Sequence, residues 1–191
     1  MSTPTLIGEY FSPWTEKARW ALDHHGVAYR YHEHVPLLGE PLLRWAARGT
    51  KVRASVPLLT TDSGPIPDSL AIARHAERIG HGEPLFPTYL QDEIATWNAR
   101  SERALAAARA RYLERVLRSP DAKTELQPPF LPLAVRRAAG PATDLAIRFL
   151  RGKYRVDASP ALHEATLVAE LEVLRDALGA GKKKHLVGAG Q

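Results

Sequence analysis

A short apolar stretch that turns directly into a helix constrains the fold of this chain more than any other feature. The stretch covers residues 5–11, and Ser12 and Pro13 follow where the helix begins. Serine can cap a helix with its side-chain oxygen, and proline fits the first helical position, where no N–H is needed. Apolar residues then recur at helical spacing until Gly26, a residue suited to ending a helix. The sequence therefore predicts a strand, a sharp turn and a helix, with a hydroxyl at the positive end of the helix.

Residues 27–35 show the period of two that is typical of a strand. Residues 27, 29, 31, 33 and 35 face one way, so that Glu33 lies on the face of the valines and tyrosines. The strand, helix and second strand predict a parallel βαβ unit with a right-handed crossover. His32 and His34 are predicted to face solvent on the other side, and without a third ligand nearby we predict no metal site.

The rest of the first part is predicted to contain a short helix, a hairpin and a further helix. The helix covers residues 40–48, and a strand at residues 55–59 is entered through Pro57. Because proline lacks an N–H, it belongs at the start of that strand, and the Val56–Pro57 bond is a candidate cis bond. A turn at residues 62–64 closes the hairpin, and Asp68 and Ser69 open the next helix.

Proline and glycine residues at positions 82–88 indicate a linker between domains 1–81 and 89–191. Beyond the linker the strand pattern disappears, and one apolar stripe predicts a helix of about thirty residues from Leu90. Further helices are predicted at residues 133–139, 142–150 and 160–178. The fold class is therefore an α/β domain followed by an all-α domain.

Composition excludes several classes of function. The chain has 191 residues and no cysteine, which removes disulfides, thiolate metal sites and protein thiol chemistry. The net charge of +5 is spread along helices, without the aromatic platforms or reading motifs of nucleic-acid-binding proteins. We found neither a long apolar run nor a secretory signal, so we predict a cytoplasmic protein with no nucleic-acid or membrane partner.

These features together resemble the glutathione transferase superfamily over nearly the whole chain. The resemblance depends on residues 11–19, on Val56 and Pro57, and on Asp68 and Ser69 twelve residues later. It implies a thioredoxin-like N-terminal domain, a helical C-terminal domain, glutathione as co-substrate and a homodimer. Residues 184–188 resemble the segment before a buried helix of the family, so the C-terminal domain is expected to be truncated.

The resemblance makes Ser12 the catalytic residue. In thiol-redox relatives Ser12 and Thr15 would be cysteines, and with hydroxyls instead, dithiol exchange and mixed disulfides are excluded. The serine type remains, in which the hydroxyl hydrogen-bonds to the thiolate of glutathione. Two alternatives stay open: Ser12 acts only as a helix cap, or Tyr10 supplies the hydroxyl, although alignment on residues 17–19 favours Ser12.

The remaining glutathione contacts are also implied by the resemblance. Main-chain groups of Val56 should pair with the cysteinyl part of glutathione, and a cis Pro57 should hold that strand edge open. Ser69 should bind the γ-glutamyl carboxylate, and Asp68 should lie near the ammonium group. Ordinary helix capping is the alternative for this second pair.

Two cations that precede Val56, Arg53 and Lys51, are candidates for the glycine carboxylate, with ordinary surface charge as the alternative. The electrophile is expected between the domains, against a set of aromatic and basic side chains: Tyr10, Phe11, Trp14, Trp97, Arg100, Arg103 and Tyr112. For Trp97 a place in the helical core is the favoured alternative, because an aromatic residue on the apolar stripe of a helix is more often part of the core.

The function that follows is a transferase that conjugates glutathione to a small electrophile, as in detoxification. A glutathione-binding or protein-interaction module without turnover is the alternative from another class. A glutathione-dependent isomerase or dehalogenase would use the same site.

Overall fold

A computed structural model describes residues 2–127, 131–156 and 159–179 of the chain. The chain divides between Tyr89 and Leu90 into two compact units. The first combines a sheet with helices, and the described part of the second is helical, which confirms the predicted fold class. Residues 184–188 lie outside the described residues.

The first unit is built on a four-stranded sheet flanked by helices. The elements in chain order are β1 (Thr5–Gly8), α1 (Pro13–His24), β2 (Arg30–Glu33), α2 (Glu40–Ala46), β3 (Leu58–Thr61), β4 (Gly64–Pro67) and α3 (Ser69–Ile79). The strand order in the sheet is β2-β1-β3-β4. Strands β1 and β2 are parallel, and the other two neighbouring pairs are antiparallel. The βαβ unit, the hairpin and the helix after Asp68 are therefore confirmed.

Helices cover both faces of this sheet, because neighbouring strand residues point in opposite directions. Leu6 of β1 packs with α1 and α3 in one apolar cluster, whose other fully buried members include Leu22 and Ile72. Ile7, the next residue of β1, packs on the other face with Leu43 of α2. The unit thus has three layers, with the sheet in the middle.

The strands are shorter than predicted, and one histidine is placed differently. β1 ends at Gly8 rather than at Phe11. A Cβ at Gly8 would clash with Cγ2 of Thr15, so the strand passes close against the first turn of α1. His34 lies beyond the end of β2 and is buried, with Nε2 3.5 Å from Oε1 of Glu40. The prediction that it faces solvent is therefore wrong, whereas His32 is exposed as predicted.

Two prolines occupy alternate positions of the edge strand β4. Pro65 pairs with Thr60 and Pro67 pairs with Leu58 in the register with β3. Proline has no N–H for a ladder, so in an edge strand its nitrogen belongs on the side away from the neighbouring strand. The outer edge of β4 therefore lacks a donor at both positions.

The second unit begins with a long helix, preceded by a short 3-10 helix at Thr88–Leu90. The helices are α4 (Gln91–Arg118), α5 (Pro120–Glu125), α6 (Leu133–Ala138), α7 (Gly140–Lys153) and α8 (Pro160–Ala177). The long helix and the last three were predicted. The short α5 was not, although Ser119 caps it by accepting a hydrogen bond from the Ala122 N–H at 3.2 Å.

The core of the second unit lies where α4 meets α7. Leu113 and Val116 of α4 are buried against Ile147 of α7. Helix α8 packs along α4 as well. None of the helices in the described part of the chain is long and apolar enough to cross a membrane.

Candidate functional site

The topology of the first unit brings three loops to one end of the sheet. Ile7, near the end of β1, is opposite Leu58, the first residue of β3, and Leu58 is opposite Pro67, the last residue of β4. The turn after β1, the segment before β3 and the turn after β4 therefore lie side by side. These segments contain Ser12, Val56 with Pro57, and Asp68 with Ser69, so the fold brings the main predicted residues together.

Two helices begin at this same end of the sheet. Helix α1 starts at Pro13 directly after the turn, and α3 starts at Ser69 directly after β4. The first amides of a helix have no partner within it and give that end a partial positive charge. Anionic groups are therefore stabilised at this end of the sheet.

Ser12 occupies the N-cap position of α1 without using its hydroxyl as a cap. Its backbone N–H donates to the Glu9 carbonyl at 2.9 Å, and its own carbonyl accepts from the Glu16 N–H at 3.0 Å. The residue is 8% exposed, and its side chain forms no capping hydrogen bond. The expectation that the oxygen caps the helix is therefore wrong, and the hydroxyl remains available at the helix terminus.

Thr15 holds the turn from inside α1. It is fully buried, and its Oγ1 accepts a hydrogen bond from the Glu9 N–H at 3.2 Å. From the sequence, Thr15 was considered only as a replaced cysteine. Its position in the first turn of the helix, facing the preceding strand, was the signal that could have indicated this contact with Glu9.

Glu33 holds the same turn from β2, a role that the sequence analysis missed. Its Oε1 accepts from the Tyr10 N–H at 3.2 Å, and its Oε2 accepts from the Tyr31 hydroxyl at 2.6 Å. The sequence did contain a signal, because Glu33 is an acid in a row of valines and tyrosines. All four residues of β2 are nevertheless exposed, so the predicted alternation of burial is absent.

Tyr31 has a strongly raised pKa. Partial burial is the main cause, and the hydrogen bond to Glu33 is the second, because both favour the neutral phenol. The guanidinium of Arg19 lies over the ring, 5.5 Å from its centroid, and also donates to Glu16 at 2.7 Å. A chain of polar contacts thus runs from α1 through β2 to the turn that contains Ser12.

The Val56–Pro57 bond is cis, as predicted. Pro57 is buried and precedes the first residue of β3, and Val56 packs against the apolar cluster around Leu43. The Val56 main chain therefore lies at the start of β3, next to the end of β1.

Asp68 caps α3, with Oδ1 accepting the Leu70 N–H at 2.6 Å. Its backbone has a φ of 75°, which places it in the left-handed region. The capping alternative is thus observed for Asp68, while Ser69 is buried at the first position of the helix. A role of either residue in ligand binding stays a prediction.

The other predicted residues of the first unit are accessible to different degrees. Tyr10 and Phe11 are 47% and 39% exposed, and their rings meet edge to face at 5.2 Å. Trp14 is half-buried, and Lys51 and Arg53 are exposed in the loop before β3. Their roles in binding stay predictions.

The predicted residues of the second unit all lie on α4. Arg100 and Arg103 both donate to Glu170 of α8, at 3.0 and 2.6 Å. Trp97 is half-buried, with the Arg100 guanidinium 6.0 Å from its ring centroid, and Tyr112 is exposed. The two arginines therefore have a structural contact within this unit, and a role of all four in electrophile binding stays a prediction.

Potential metal ligands do not cluster in the described parts of the chain. Within residues 2–127, 131–156 and 159–179, no group of three or more histidine, cysteine, aspartate or glutamate side chains could hold a metal ion.

Sequence comparisons match part of the first unit to a known family. Residues 11–79 match the family described as "Glutathione S-transferase, N-terminal domain". A "Probable glutathione S-transferase" from Nicotiana tabacum is 30% identical over 87 residues. That match covers 46% of this chain and 38% of the relative, so the chain spans less than half the length of this curated relative.

Solved structures with a similar fold have related descriptions. The crystal structure of glutathione transferase GSTFuA3 from Phanerochaete chrysosporium has a TM-score of 0.56 at 18% identity, over 95% of this chain and 74% of that one. The glutathione S-transferase CsGST83044 of Ceriporiopsis subvermispora, in complex with glutathione, has a TM-score of 0.52 at 15% identity, over 97% and 78% of the two chains. At these identities the likeness is one of fold.

Proposed function

We propose that this chain, a member of the glutathione transferase superfamily, binds glutathione at the end of its sheet and stabilises the thiolate with the Ser12 hydroxyl. The observation that supports this most is that the Ser12 side chain makes no capping hydrogen bond. Its hydroxyl lies at the positive end of α1 and is not used as a helix cap. A thiolate placed there would accept a hydrogen bond from Ser12 and would also be stabilised by the helix dipole.

The hydrogen bond from Ser12 and the helix dipole together supply enough free energy to lower the thiol pKa of glutathione. A thiol with a pKa of about 8.5 is only a few per cent ionised at neutral pH, and lowering the pKa by about two units requires about 2.7 kcal/mol. A helix N-terminus supplies about 0.3–1 kcal/mol in most settings. A hydrogen bond to a charged acceptor adds about 1.5–3 kcal/mol, so Ser12 and the helix together reach the requirement, whereas the helix alone does not.

The rest of glutathione would be bound by the neighbouring loops. The main chain of Val56 borders the turn of Ser12, where it can pair with the extended peptide backbone of the ligand. Ser69 begins α3, so the γ-glutamyl carboxylate would meet a hydroxyl and helix amides there. Lys51 and Arg53 are the exposed cations proposed for the glycine carboxylate.

The proposed reaction is conjugation of the bound thiolate with a small electrophile. The thiol proton leaves to solvent, the sulfur attacks the electrophilic carbon, and a carbon–sulfur bond forms. In a substitution the leaving group departs with the electron pair of its bond to that carbon, and in an addition to an activated double bond the π bond breaks and the resulting carbanion takes a proton from solvent. Rate would come from the higher thiolate fraction and from holding the two reactants together.

The test is a pH titration of the ultraviolet thiolate absorbance of bound glutathione. With the wild-type protein we expect a midpoint well below that of free glutathione. In Ser12→Ala the midpoint should rise by about one to two units, the equivalent of a charged hydrogen bond, while affinity changes by only a few-fold. Ser63→Ala, which removes an exposed hydroxyl from the β3–β4 turn, is the matched control and should behave like wild type.

Two outcomes would contradict the proposal. An unchanged midpoint in Ser12→Ala would eliminate Ser12 as the activating group. Binding of glutathione by the wild-type protein without any shift of the thiol pKa would point instead to a glutathione-binding module without turnover.

A further inference from the structure

The turn that presents Ser12 is fixed by side chains from two different elements. After β1 ends at Gly8, the Ser12 N–H donates to the Glu9 carbonyl at 2.9 Å and closes the turn. The amides of Glu9 and Tyr10 take no part in this bond, and each donates to a side chain of its own. Thr15 of α1 accepts from the first at 3.2 Å, and Glu33 of β2 accepts from the second at 3.2 Å.

Of these two acceptors, Glu33 is the one that connects the turn to a separate strand. Thr15 belongs to the helix that the turn begins, so its contact is local. Glu33 pairs in register with Gly8, the residue at which β1 ends. Its carboxylate therefore reaches past the end of β1 and ties the turn to the neighbouring strand.

Glu33 is itself oriented by other side chains. The Tyr31 hydroxyl donates to its second oxygen at 2.6 Å, so both carboxylate oxygens have a defined donor. The Tyr31 ring lies under the Arg19 guanidinium at 5.5 Å, and Arg19 is held in turn by Glu16 of α1. Strand β2 is exposed along its whole length, so this role of Glu33 depends on hydrogen bonds and not on burial in the core.

We propose that Glu33 is a positioning residue for Ser12, which holds the Tyr10 amide so that the turn keeps the hydroxyl at the N-terminus of α1. This inference rests on the proposed function, because the benefit of a fixed hydroxyl is a lower pKa of the bound thiol. Tyr31 supports Glu33 by orienting its carboxylate. Without that contact the turn retains only its local bonds, and the hydroxyl samples other positions.

The experiment combines amide exchange with the thiolate titration in the full chain. In Glu33→Ala we expect exchange of the Tyr10 and Ser12 amides to rise by about tenfold or more, as for a local opening that has become easier. The midpoint of bound glutathione should move by about one unit toward that of the free thiol. Affinity for glutathione should change by less than about threefold, because no proposed contact with the ligand is removed.

Two further variants separate positioning from general loss of stability. Tyr31→Phe keeps the carboxylate but removes its orienting donor. Amide exchange and the midpoint of bound glutathione should therefore change in the same direction as in Glu33→Ala, but by less. His32→Ala alters the neighbouring exposed residue of β2 and should change neither measurement. If Glu33→Ala does not fold, Tyr31→Phe alone decides between the outcomes.

Each result has a definite meaning. Unchanged Tyr10 exchange in Glu33→Ala would overturn the proposal, and so would faster exchange with an unaltered thiol midpoint, because the contact would then be structural only. If the wild-type protein itself causes no thiolate shift, the proposed function fails. In that case hydrogen exchange at the Ser12 amide of Glu33→Ala shows separately whether Glu33 holds the turn.

Discussion

Tyr31 and Glu33 show how two residues of one exposed strand acquire properties that neither has alone. The phenol donates to the carboxylate at 2.6 Å, and the carboxylate binds the Tyr10 amide with its other oxygen. Partial burial and this hydrogen bond raise the pKa of Tyr31. The neutral form of the phenol is therefore part of the structure that supports the turn.

The raised pKa of Tyr31 predicts the pH range in which its phenolate forms. A raised pKa means that the contribution of Tyr31 to stability is complete below the usual tyrosine pKa of about 10 and is lost only at higher pH. Spectrophotometric titration of wild type and Tyr31→Phe should therefore give the same phenolate absorbance up to about pH 11. In Glu33→Gln, Tyr31 should ionise at lower pH than in wild type, but still above the usual value, because burial is the larger cause.

Tyr89→Phe removes a highly exposed tyrosine and accounts for the loss of one phenol from the spectrum. A smaller absorbance of Tyr31→Phe near pH 10 would show that Tyr31 ionises like an ordinary tyrosine, and the prediction would be wrong.

Single residues were predictable where one local pattern determines their role. The N-cap position of Ser12 follows from its place before a proline and a helix, and the cis bond at Pro57 follows from a proline at the start of a strand. The state of the Ser12 hydroxyl did not follow, because a serine at an N-cap usually accepts from the helix. His34 was placed wrongly since its burial depends on Glu40, a residue in the following helix.

Among the elements, the pair α4 and α8 is joined by one carboxylate that binds two arginines. Glu170 of α8 accepts from Arg103 at 2.6 Å and from Arg100 at 3.0 Å. The hydrogen bond from Arg103 is the main reason that the pKa of Glu170 is lowered, with Arg100 adding to it against partial burial. This carboxylate therefore stabilises the contact only while it is ionised.

This contact predicts a dependence of stability on pH. Because the folded-state pKa of Glu170 is below its unfolded value of about 4.3, its contribution is present above that pH and is lost as the pH falls through the folded value. Glu170→Gln should thus be less stable than wild type near pH 7 in chemical denaturation, with a difference that narrows below about pH 4. Glu172→Gln, at an exposed position of the same helix, is the control and should show no such dependence. If the difference in unfolding free energy between wild type and Glu170→Gln stays constant with pH, ionised Glu170 does not stabilise the contact.

Elements were predicted better than their ends. The long helix α4 has an apolar stripe that few other structures would produce, and it extends over 28 residues. The strands have only four residues each, so a run of apolar residues such as 5–11 includes both a strand and the turn after it. Helix α5 was missed because its six residues include no apolar period that could reveal it.

In the molecule as a whole, the segment that leads from the first unit to the second is tied down by Glu77 of α3. Its Oε2 accepts the N–H groups of Leu85 and Phe86, the second at 2.9 Å. The Phe86 ring lies under the guanidinium of Arg74, 4.5 Å from its centre. The segment is therefore an ordered part of the first unit up to these residues, in spite of its proline and glycine content.

Removing this anchor should affect the segment more than the sheet. In Glu77→Ala two amides lose their acceptor, which costs about 1–3 kcal/mol locally. We expect faster hydrogen exchange at Leu85 and Phe86, with little change at Leu6 and Leu59 in the sheet. Glu83→Ala removes an exposed carboxylate of the same segment and serves as the control, and equal exchange in the two variants would show that Glu77 does not hold it.

The two-part organisation could be read from the loss of the strand pattern after residue 82. That the predicted residues meet at one end of the sheet could be predicted as well, because the order of the motifs is specific even where each motif is weak. Long-range partners such as Glu33 and Glu170 could not be assigned, since a single sequence does not report which helices and strands become neighbours. Arg100 and Arg103 were for this reason predicted as pocket residues without their contact to Glu170, and the pocket role stays a prediction.

The prolines of β4 have a consequence for chains that meet before folding is complete. A strand from another copy that approached this edge would find no N–H at Pro65 or Pro67 and could not form a continuous ladder with it. Amyloid-like stacking requires such a ladder to repeat through every layer. The outer side of β4 is thus protected against cross-β growth, whereas β2, the strand at the other edge of the sheet, contains no proline.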